Sequence, residues 1–271
     1  MPSDFTNPIS LRKEQYKNDE NLNSRISLHE RFSINQNSWT RWVFELLNLE
    51  PGNEVIELGS GPGNLWLENL DLLPIKANIT VSDLSVGMLQ SARKKLTGHP
   101  SFQFAAWDAQ YPALISNKFD LVIANHMLYH VPNIEKVLAG AARLLINNGV
   151  FCATTNGAQH LREIWLWVSQ ALPSRIDALE AFDSIYGFSL ENGRGLLKKH
   201  FKEIEFIVRE DELQITAVQP LVDFVASSSM MSKFEPNELK ILREYLENKL
   251  KQENLLRVTK NSGMFIAAQP V

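Results

Sequence analysis

The stretch "VIELGSGPGNLW", residues 55–66, carries glycines at 59, 61 and 63 directly behind an apolar run that contains Glu57. Glycine is costly in ordered chain unless the backbone needs positive φ or a ligand must touch the main chain. A dinucleotide loop asks for G-x-G-x-x-G, yet Asn64 stands at the third glycine's place and the spacing is G-x-G-x-G. An anion at the end of the preceding run repels a pyrophosphate and suits a cationic ammonium or sulfonium ligand. Further on, "NHMLYHVPN" holds His126 and His130 four apart with Tyr129 beside them. No acid or cysteine stands near to complete a ligand set, so a metal site is not expected. His130 reads as a helix-end or core hydrogen bond, while His126 is open between a site role and a structural one. Cys152, the single cysteine, lies in the apolar run "GVFCATT" and reads as core.

These residues need elements to position them. "EVIEL" reads as a strand, residues 63–70 as a helix, and "NITVSD" as a second strand. "VGMLQSARKKL" is helical, "SFQFAAWD" and "FDLVIAN" are strands, and a helix over Asn133–Ile146 closes with "NNG" before the strand "VFCATTN". Apolar runs between short helices predict a doubly wound α/β layer around a parallel sheet buried on both faces. After Asn156 about 45 residues precede the strand "KEIEFIVRE", far beyond what a crossover needs. They include the helical stretches "LREIWLWVSQAL" and "RIDALEAFDSIYGF". Two more, "QPLVDFVASS" and "PNELKILREYLENKLKQ", precede "LLRVTKNSGMFIAAQ", which reads as a hairpin turning at Asn261–Gly263. Ahead of the core, Ile26, Leu28 and Phe32 mark one helix, and Trp39, Val43, Leu46 and Leu47 another. The expected fold is α/β, doubly wound, a mostly parallel seven-stranded sheet with a C-terminal antiparallel hairpin and helical cap insertions. Residues 1–48 are expected as a helical lid and 49–156 as a cofactor-binding core. Residues 157–271 complete the core and carry cap insertions at about 157–200 and 212–254.

Over about residues 40–156 the chain resembles the class I S-adenosylmethionine-dependent methyltransferases of the small-molecule type. "VIELGSGPG" is similar to the family's first motif, which implies that Glu57, Gly59, Ser60, Gly61 and Gly63 lie against the methionine part of the cofactor. "VSDLSVGML" is similar to the second, which implies Asp83 on the ribose hydroxyls, Leu84 beside the adenine, and Met88 among the contacts. "AAWDAQYP" resembles the third, placing Asp108 near the adenine amino group and Trp107 beside the ring. "FDLVIANHMLYHVPN" resembles the fourth, with Asn125 and His126 at the mouth of the site. "RLLINNGVFCATT" is close to the family's "LLKPGG" and fifth strand, with Asn147 and Asn148 replacing its proline and first glycine. One carboxylate can hold two adenosine hydroxyls, although nicotinamide sites use the same pair, so Glu57 is the better discriminator. Helix-capping readings of Glu57 and Asp83, and a core reading of Trp107, stay open.

The implied reaction moves a methyl group from S-adenosylmethionine to an N, O or C atom of a small, apolar or aromatic acceptor, leaving S-adenosylhomocysteine. His126 would serve a hydroxyl acceptor as base, since an unperturbed imidazole titrates near pH 6.5. Phe32, Trp39, Tyr129 and Trp165 are the expected acceptor contacts, with Trp167, Phe182, Tyr186 and Phe188 as further aromatics above the strand ends. Of Trp165 and Trp167, one should pack in the core and the other line a pocket. A net charge of −4 without a Lys/Arg block argues against nucleic acid. No run approaches the ~18 apolar residues of a membrane span, and the polar N-terminal stretch has no apolar signal region. A lone cysteine suits a reducing cytoplasm, and the expected state is monomer or homodimer. Two rivals stand: an NAD(P)-dependent oxidoreductase, and a non-catalytic partner protein that binds the cofactor.

Overall fold

The computed structural model describes residues 20–111, 116–175, 187–228 and 234–271. Seven strands are β1 (Glu54–Leu58), β2 (Asn78–Asp83), β3 (Phe102–Ala106), β4 (Phe119–Asn125), β5 (Leu145–Asn156), β6 (Phe201–Ile215) and β7 (Leu256–Pro270). They form one sheet in the order β3-β2-β1-β4-β5-β7-β6. The first five pair in parallel, and β7 runs antiparallel to both β5 and β6. Strand order reverses between β1 and β4, which puts a ligand crevice at their carboxyl ends. Alternate residues of β1 feed two cores: Ile56 packs with Val137, Phe151 and Phe265 on one face, and Val55 with Ile79, Leu89 and Ile123 on the other.

The crossover helices start where the sequence supplies a side-chain cap. Ser38 caps α2 (Trp39–Leu46), following α1 (Glu20–Phe32). The short α3 (Asn64–Leu67) follows β1, Ser85 caps α4 (Val86–Leu96), and Asn133 caps α5 (Ile134–Leu144). The helix expected over 63–70 is split into α3 and a 3-10 turn at Leu70–Leu72. The "NNG" segment is not a turn ahead of β5. That strand starts at Leu145, and its register jumps between the pairs Phe119–Leu145 and Leu121–Val150.

A third core lies beyond the sheet. The β5–β7 pairing ends at Asn156–Ser262, whereas β6 and β7 stay paired from Arg209–Ser262 out to Ile215–Leu256. This two-stranded ribbon therefore overhangs the carboxyl edge of the sheet by roughly 20 Å. Its Leu213 and Val258 pack with Leu28 of α1, Trp165 of α6 (Arg162–Ala171), Val222 of α8 (Val218–Ala226) and Leu242 of α9 (Pro236–Glu253). A further short helix, α7 (Gly193–Leu197), precedes β6.

The antiparallel pair exists, but the hairpin expected at Asn261–Gly263 does not: β7 runs straight through those residues, and α8 and α9 separate it from β6. Gly263 answers to packing, since a Cβ there would sit 2.7 Å from the Ile207 carbonyl oxygen and 2.9 Å from the Phe206 ring. Phe188, expected above the strand ends, is buried in the sheet core against Phe265. Phe182 and Tyr186, and residues 1–19 of the expected lid, lie outside the described residues. The described N-terminal segment is built into the fold. Leu28 is fully buried in the cap core, Ser33 bridges Leu213, and Val43 packs in the sheet core.

Candidate active site

The glycine loop leaves β1 at the switch point. Gly61 has φ +57°, a region costly for other residues, and a Cβ there would meet nothing within 4 Å. It borders a cavity of about 690 Å³. Its N–H donates to Asp83 Oδ2 at 2.8 Å, and the Ser85 N–H donates to Asp83 Oδ1 at 2.7 Å. Asp83 thus fastens the loop to the end of β2, while Ser85 is the helix cap. Each Asp83 oxygen keeps a second lone pair for a ligand donor. Burial raises the Asp83 carboxyl above its usual range, and the two backbone donors oppose that shift.

Glu57 is buried and accepts the Trp66 indole N–H at 2.6 Å, so it caps nothing. Burial pushes its carboxyl up to about 8; Asp83 adds to the shift and the Trp66 hydrogen bond opposes it. Leu84, Met88, Trp107 and Asp108 border the same end of the cavity. The Trp107 indole is held by the Tyr111 carbonyl at 2.8 Å, and Asp108 Oδ1 receives the Gln110 N–H at 2.9 Å.

At the mouth, Asn125 Oδ1 accepts from Trp39 Nε1 at 3.2 Å and from Thr154 Oγ1 at 2.7 Å. His126 follows with φ +52°, and its N–H donates to Thr154 Oγ1 at 3.0 Å. Its ring lies 4.5 Å from that of Trp39, and Nδ1 has no hydrogen-bond partner among the described residues. Burial, then the charge of Lys260, brings this imidazole down to about 4, so the base expected near neutrality is held neutral there. Tyr129, His130 and Trp165 also border the cavity. Trp167 packs in the cap core under Lys249. Phe32, expected against the acceptor, belongs to that core instead, because α1 turns it toward the ribbon and away from the cavity.

The far wall is made of residues that sequence reasoning passed over. Arg209 comes from β6, Lys260 and Ser262 from β7, His29 from α1, and His160 from the segment after β5, with Asp211 of β6 behind Arg209 and Lys260. Asp211 pairs directly with Lys260 across the ribbon, and Arg209 with Ser262. Arg209 Nη1 donates to Asp211 Oδ2 at 2.6 Å, and Lys260 Nζ donates to the same oxygen. The guanidinium stacks 5.8 Å from the Trp39 ring and reaches the Asn37 carbonyl. The Asn261 N–H donates to His160 Nδ1 at 3.2 Å, which assigns the ring proton of neutral His160 to Nε2. His29 stacks on His160 with centroids 6.1 Å apart. Burial first, then neighbouring positive charge, lowers His29 to about 3 and His160 well below its ordinary value. Among the described residues no group of three His, Cys, Asp or Glu is placed to hold a metal ion. The signal in the sequence was the alternation Arg-x-Asp and Lys-x-Ser, one face of two strands, which "KNSG" disguised as a turn.

Residues 56–153 match the model of a methyltransferase domain family. Over 120 residues the chain is 32% identical to a malonyl-[acyl-carrier protein] O-methyltransferase of Legionella pneumophila, covering 44% of this chain and 42% of that protein. It is 27% identical over 114 residues to a ubiquinone/menaquinone biosynthesis C-methyltransferase of Teredinibacter turnerae, covering 41% and 46%. The matched segment spans less than half the length of either relative. A phosphoethanolamine N-methyltransferase of Haemonchus contortus, solved with S-adenosylhomocysteine, superposes with a TM-score of 0.59 at 19% identity. That match covers 98% of this chain and 60% of the other, and it shows the shared fold. Among the described residues no helix is long and apolar enough to cross a membrane. The glycine loop, the buried Glu57 and half-buried Asp83 at the ends of β1 and β2 and this match together make residues 56–153 a methyltransferase domain of the S-adenosylmethionine-dependent kind.

Proposed function

We propose that this chain transfers the methyl group of S-adenosylmethionine to an N, O or C atom of a small organic acceptor with an apolar or aromatic body. The observation that carries this reading is one continuous cavity reaching from Gly61 to the aromatic wall of Trp39, Tyr129 and Trp165. Its volume of about 690 Å³ lies in the range of small-molecule sites. The residues at one end fit the cofactor. Gly61 leaves its Cβ direction open, and two carboxyls lifted by desolvation, buried Glu57 and half-buried Asp83, wait for a cation and for hydroxyl donors. Glu57 would hold the ammonium and Asp83 the ribose hydroxyls. Leu84, Met88 and Trp107 would hold the adenine, with Asp108 at its amino group. When bound, the cofactor supplies an electrophilic methyl group for in-line displacement. The protein's own part is to align the acceptor and keep the reaction dry. His126 orients an acceptor N–H or O–H through its unpartnered Nδ1.

Calorimetric titration should show S-adenosylhomocysteine binding and no competition by NADH. Incubation with S-adenosylmethionine and a panel of amino, hydroxy and C–H-acidic aromatics should release S-adenosylhomocysteine, read by mass spectrometry. Tight binding without release across the panel would favour the non-catalytic partner reading.

A further inference from the structure

The carboxylate of Asp211 is overcommitted. Its Oδ2 receives Ser33 Oγ at 2.5 Å, Arg209 Nη1 at 2.6 Å and Lys260 Nζ, while Oδ1 receives the backbone N–H of Asn35 at 3.1 Å and of Glu212 at 2.8 Å. Five donors meet a group with about four lone-pair sites. The excess is also one of charge, two cations to one anion. Because both cations reach the same oxygen, their nitrogens lie within about 5 Å of each other.

Position matters as much as number. Arg209 and Lys260 border the cavity, whereas Asp211 lies behind them, and all three side chains are at most 8% exposed. Arg209 Nε is buried with no hydrogen-bond partner among the described residues. A buried cation without full pairing is strongly destabilising. The other carboxylates on the cavity wall do not compensate. Glu57, Asp83 and Asp108 sit at the cofactor end, and Glu30 and Glu68 are exposed to solvent. The histidines facing the cluster, His29 and His160, are held neutral, and Lys260 contributes to lowering both after burial. A neutral His160 still offers its Nε2–H.

We infer that the acceptor carries an oxyanion, a carboxylate or a phosphate, held at the ribbon end of the cavity by Lys260 and Arg209. This deepens the methyltransferase reading and rests on it. We read the acid as a handle and not the methyl-accepting atom: the Trp39 ring, with the Arg209 guanidinium 5.8 Å from its centroid and the His126 ring 4.5 Å away, leads from the cations to His126 and Asn125. An acceptor that bridges the cavity therefore has an acid at one end, an apolar body along Trp39, and a nucleophilic atom near His126. Charge-assisted hydrogen bonds from a planar fork and a point ammonium suit either acid.

The test uses the full chain saturated with S-adenosylhomocysteine and calorimetric titration with acetate, benzoate, phenyl phosphate and inorganic phosphate. Neutral benzamide and benzyl alcohol are the controls. At least one acid should bind tenfold or more tightly than the neutral compounds, and Lys260→Met should remove that advantage while cofactor-product affinity stays within twofold. Preference for benzoate assigns a carboxylate handle, and preference for a phosphate ester or phosphate assigns the other. Equal binding of benzoate, phenyl phosphate and benzamide overturns the inference, as does acid binding unchanged in Lys260→Met. Should that variant fail to fold, the comparison of acids with neutral compounds on the natural chain decides alone. Failure of the natural chain to bind S-adenosylhomocysteine is a separate result: it removes the methyltransferase reading, and this inference with it.

Discussion

The two ends of the cavity are built by different means. At the cofactor end, main chain does most of the work: a glycine loop with an open face, fastened by backbone N–H groups to the Asp83 carboxylate at the end of the next strand. At the ribbon end, side chains from α1, β6, β7 and the segment after β5 converge, and none neighbours another element's contribution in sequence. Both ends enclose ionisable groups, but of opposite sign. Glu57 and Asp83 await donors, whereas Arg209 and Lys260 exceed the one acceptor behind them. A backbone-built site tolerates change in side chains around it and fails when the chain itself is altered. The side-chain site should behave the other way.

The largest expected effect follows from that difference. Gly61→Val adds atoms on the open face of the loop at φ +57°, where a Cβ meets no protein atom. The local strain is on the order of 1–2 kcal/mol, so the protein should still fold. Affinity for S-adenosylhomocysteine, measured by calorimetry, should drop by about a hundredfold or more, equal to ~2.7 kcal/mol. Retained affinity would mean that the ligand does not lie against this loop.

Next comes Asp83→Asn. Hydrogen bonds to a charged group are worth ~1.5–3 kcal/mol, which sets a loss of about ten- to a hundredfold in the same titration. The structure adds a second consequence. One of the N–H donors from Gly61 and Ser85 would then face an amide NH2, so the ligand-free melting temperature should fall as well. A helix cap alone would have accepted Asn without loss. Unchanged affinity together with unchanged melting would remove Asp83 from both roles.

Legibility followed the same divide. "NITVSD" and "VGMLQSARKKL" coincide with β2 and α4 because local signals, an apolar run and a capping Ser85, agree with the tertiary outcome. The cofactor-end residues lie at strand ends that the alternation itself marks. At the far wall nothing local marked Arg209 or Lys260. Their meaning comes from a pairing between residues about fifty apart in the chain, and the glycine that suggested a turn beside Lys260 answers to the Phe206 ring across the ribbon. Phe32 and Phe188 were misplaced for a related reason: aromatic residues at helical spacing reveal a buried face but not which of three cores receives it.

A smaller effect probes charge at the cofactor end. In the ligand-free protein burial pushes the Glu57 carboxyl from its ordinary value near 4.5 up to about 8, so between these the folded state keeps a proton that the unfolded state has lost. Its contribution to stability is therefore full below about 4.5 and is lost as pH rises toward about 8. His29 and His126, lowered to about 3 and about 4, work oppositely on the acid side, costing stability as pH falls below 6.5. Comparing melting curves of the natural chain with Glu57→Gln isolates the first trend, which the variant should lack. If a cationic ammonium meets ionised Glu57, binding at pH 6.5 releases close to one proton, and affinity for S-adenosylhomocysteine falls about tenfold for each pH unit that the pH is lowered from neutrality. Calorimetry in buffers of different ionisation enthalpy reads the proton directly. No release at pH 6.5 would show that the ligand's cation lies elsewhere.

The smallest effect sits at the seam. Trp39 touches both halves: its indole N–H holds Asn125 Oδ1 at 3.2 Å, and its ring lies near both the His126 ring and the Arg209 guanidinium. Trp39→Phe keeps an aromatic ring there and deletes the hydrogen bond, while Thr154 Oγ1 still donates to Asn125 at 2.7 Å. A single neutral hydrogen bond contributes about 0.5–1.5 kcal/mol net, so melting should shift by only about 2–4 °C. If the two ends are separate in construction, S-adenosylhomocysteine affinity stays within twofold, because the glycine loop and Asp83 do not depend on this ring. Binding of an acid probe should weaken about three- to tenfold, since the smaller ring supports the guanidinium less well. A tenfold loss of cofactor-product affinity would instead show that Asn125 needs Trp39 to present itself to the cofactor, and the two halves would have to be treated as one site.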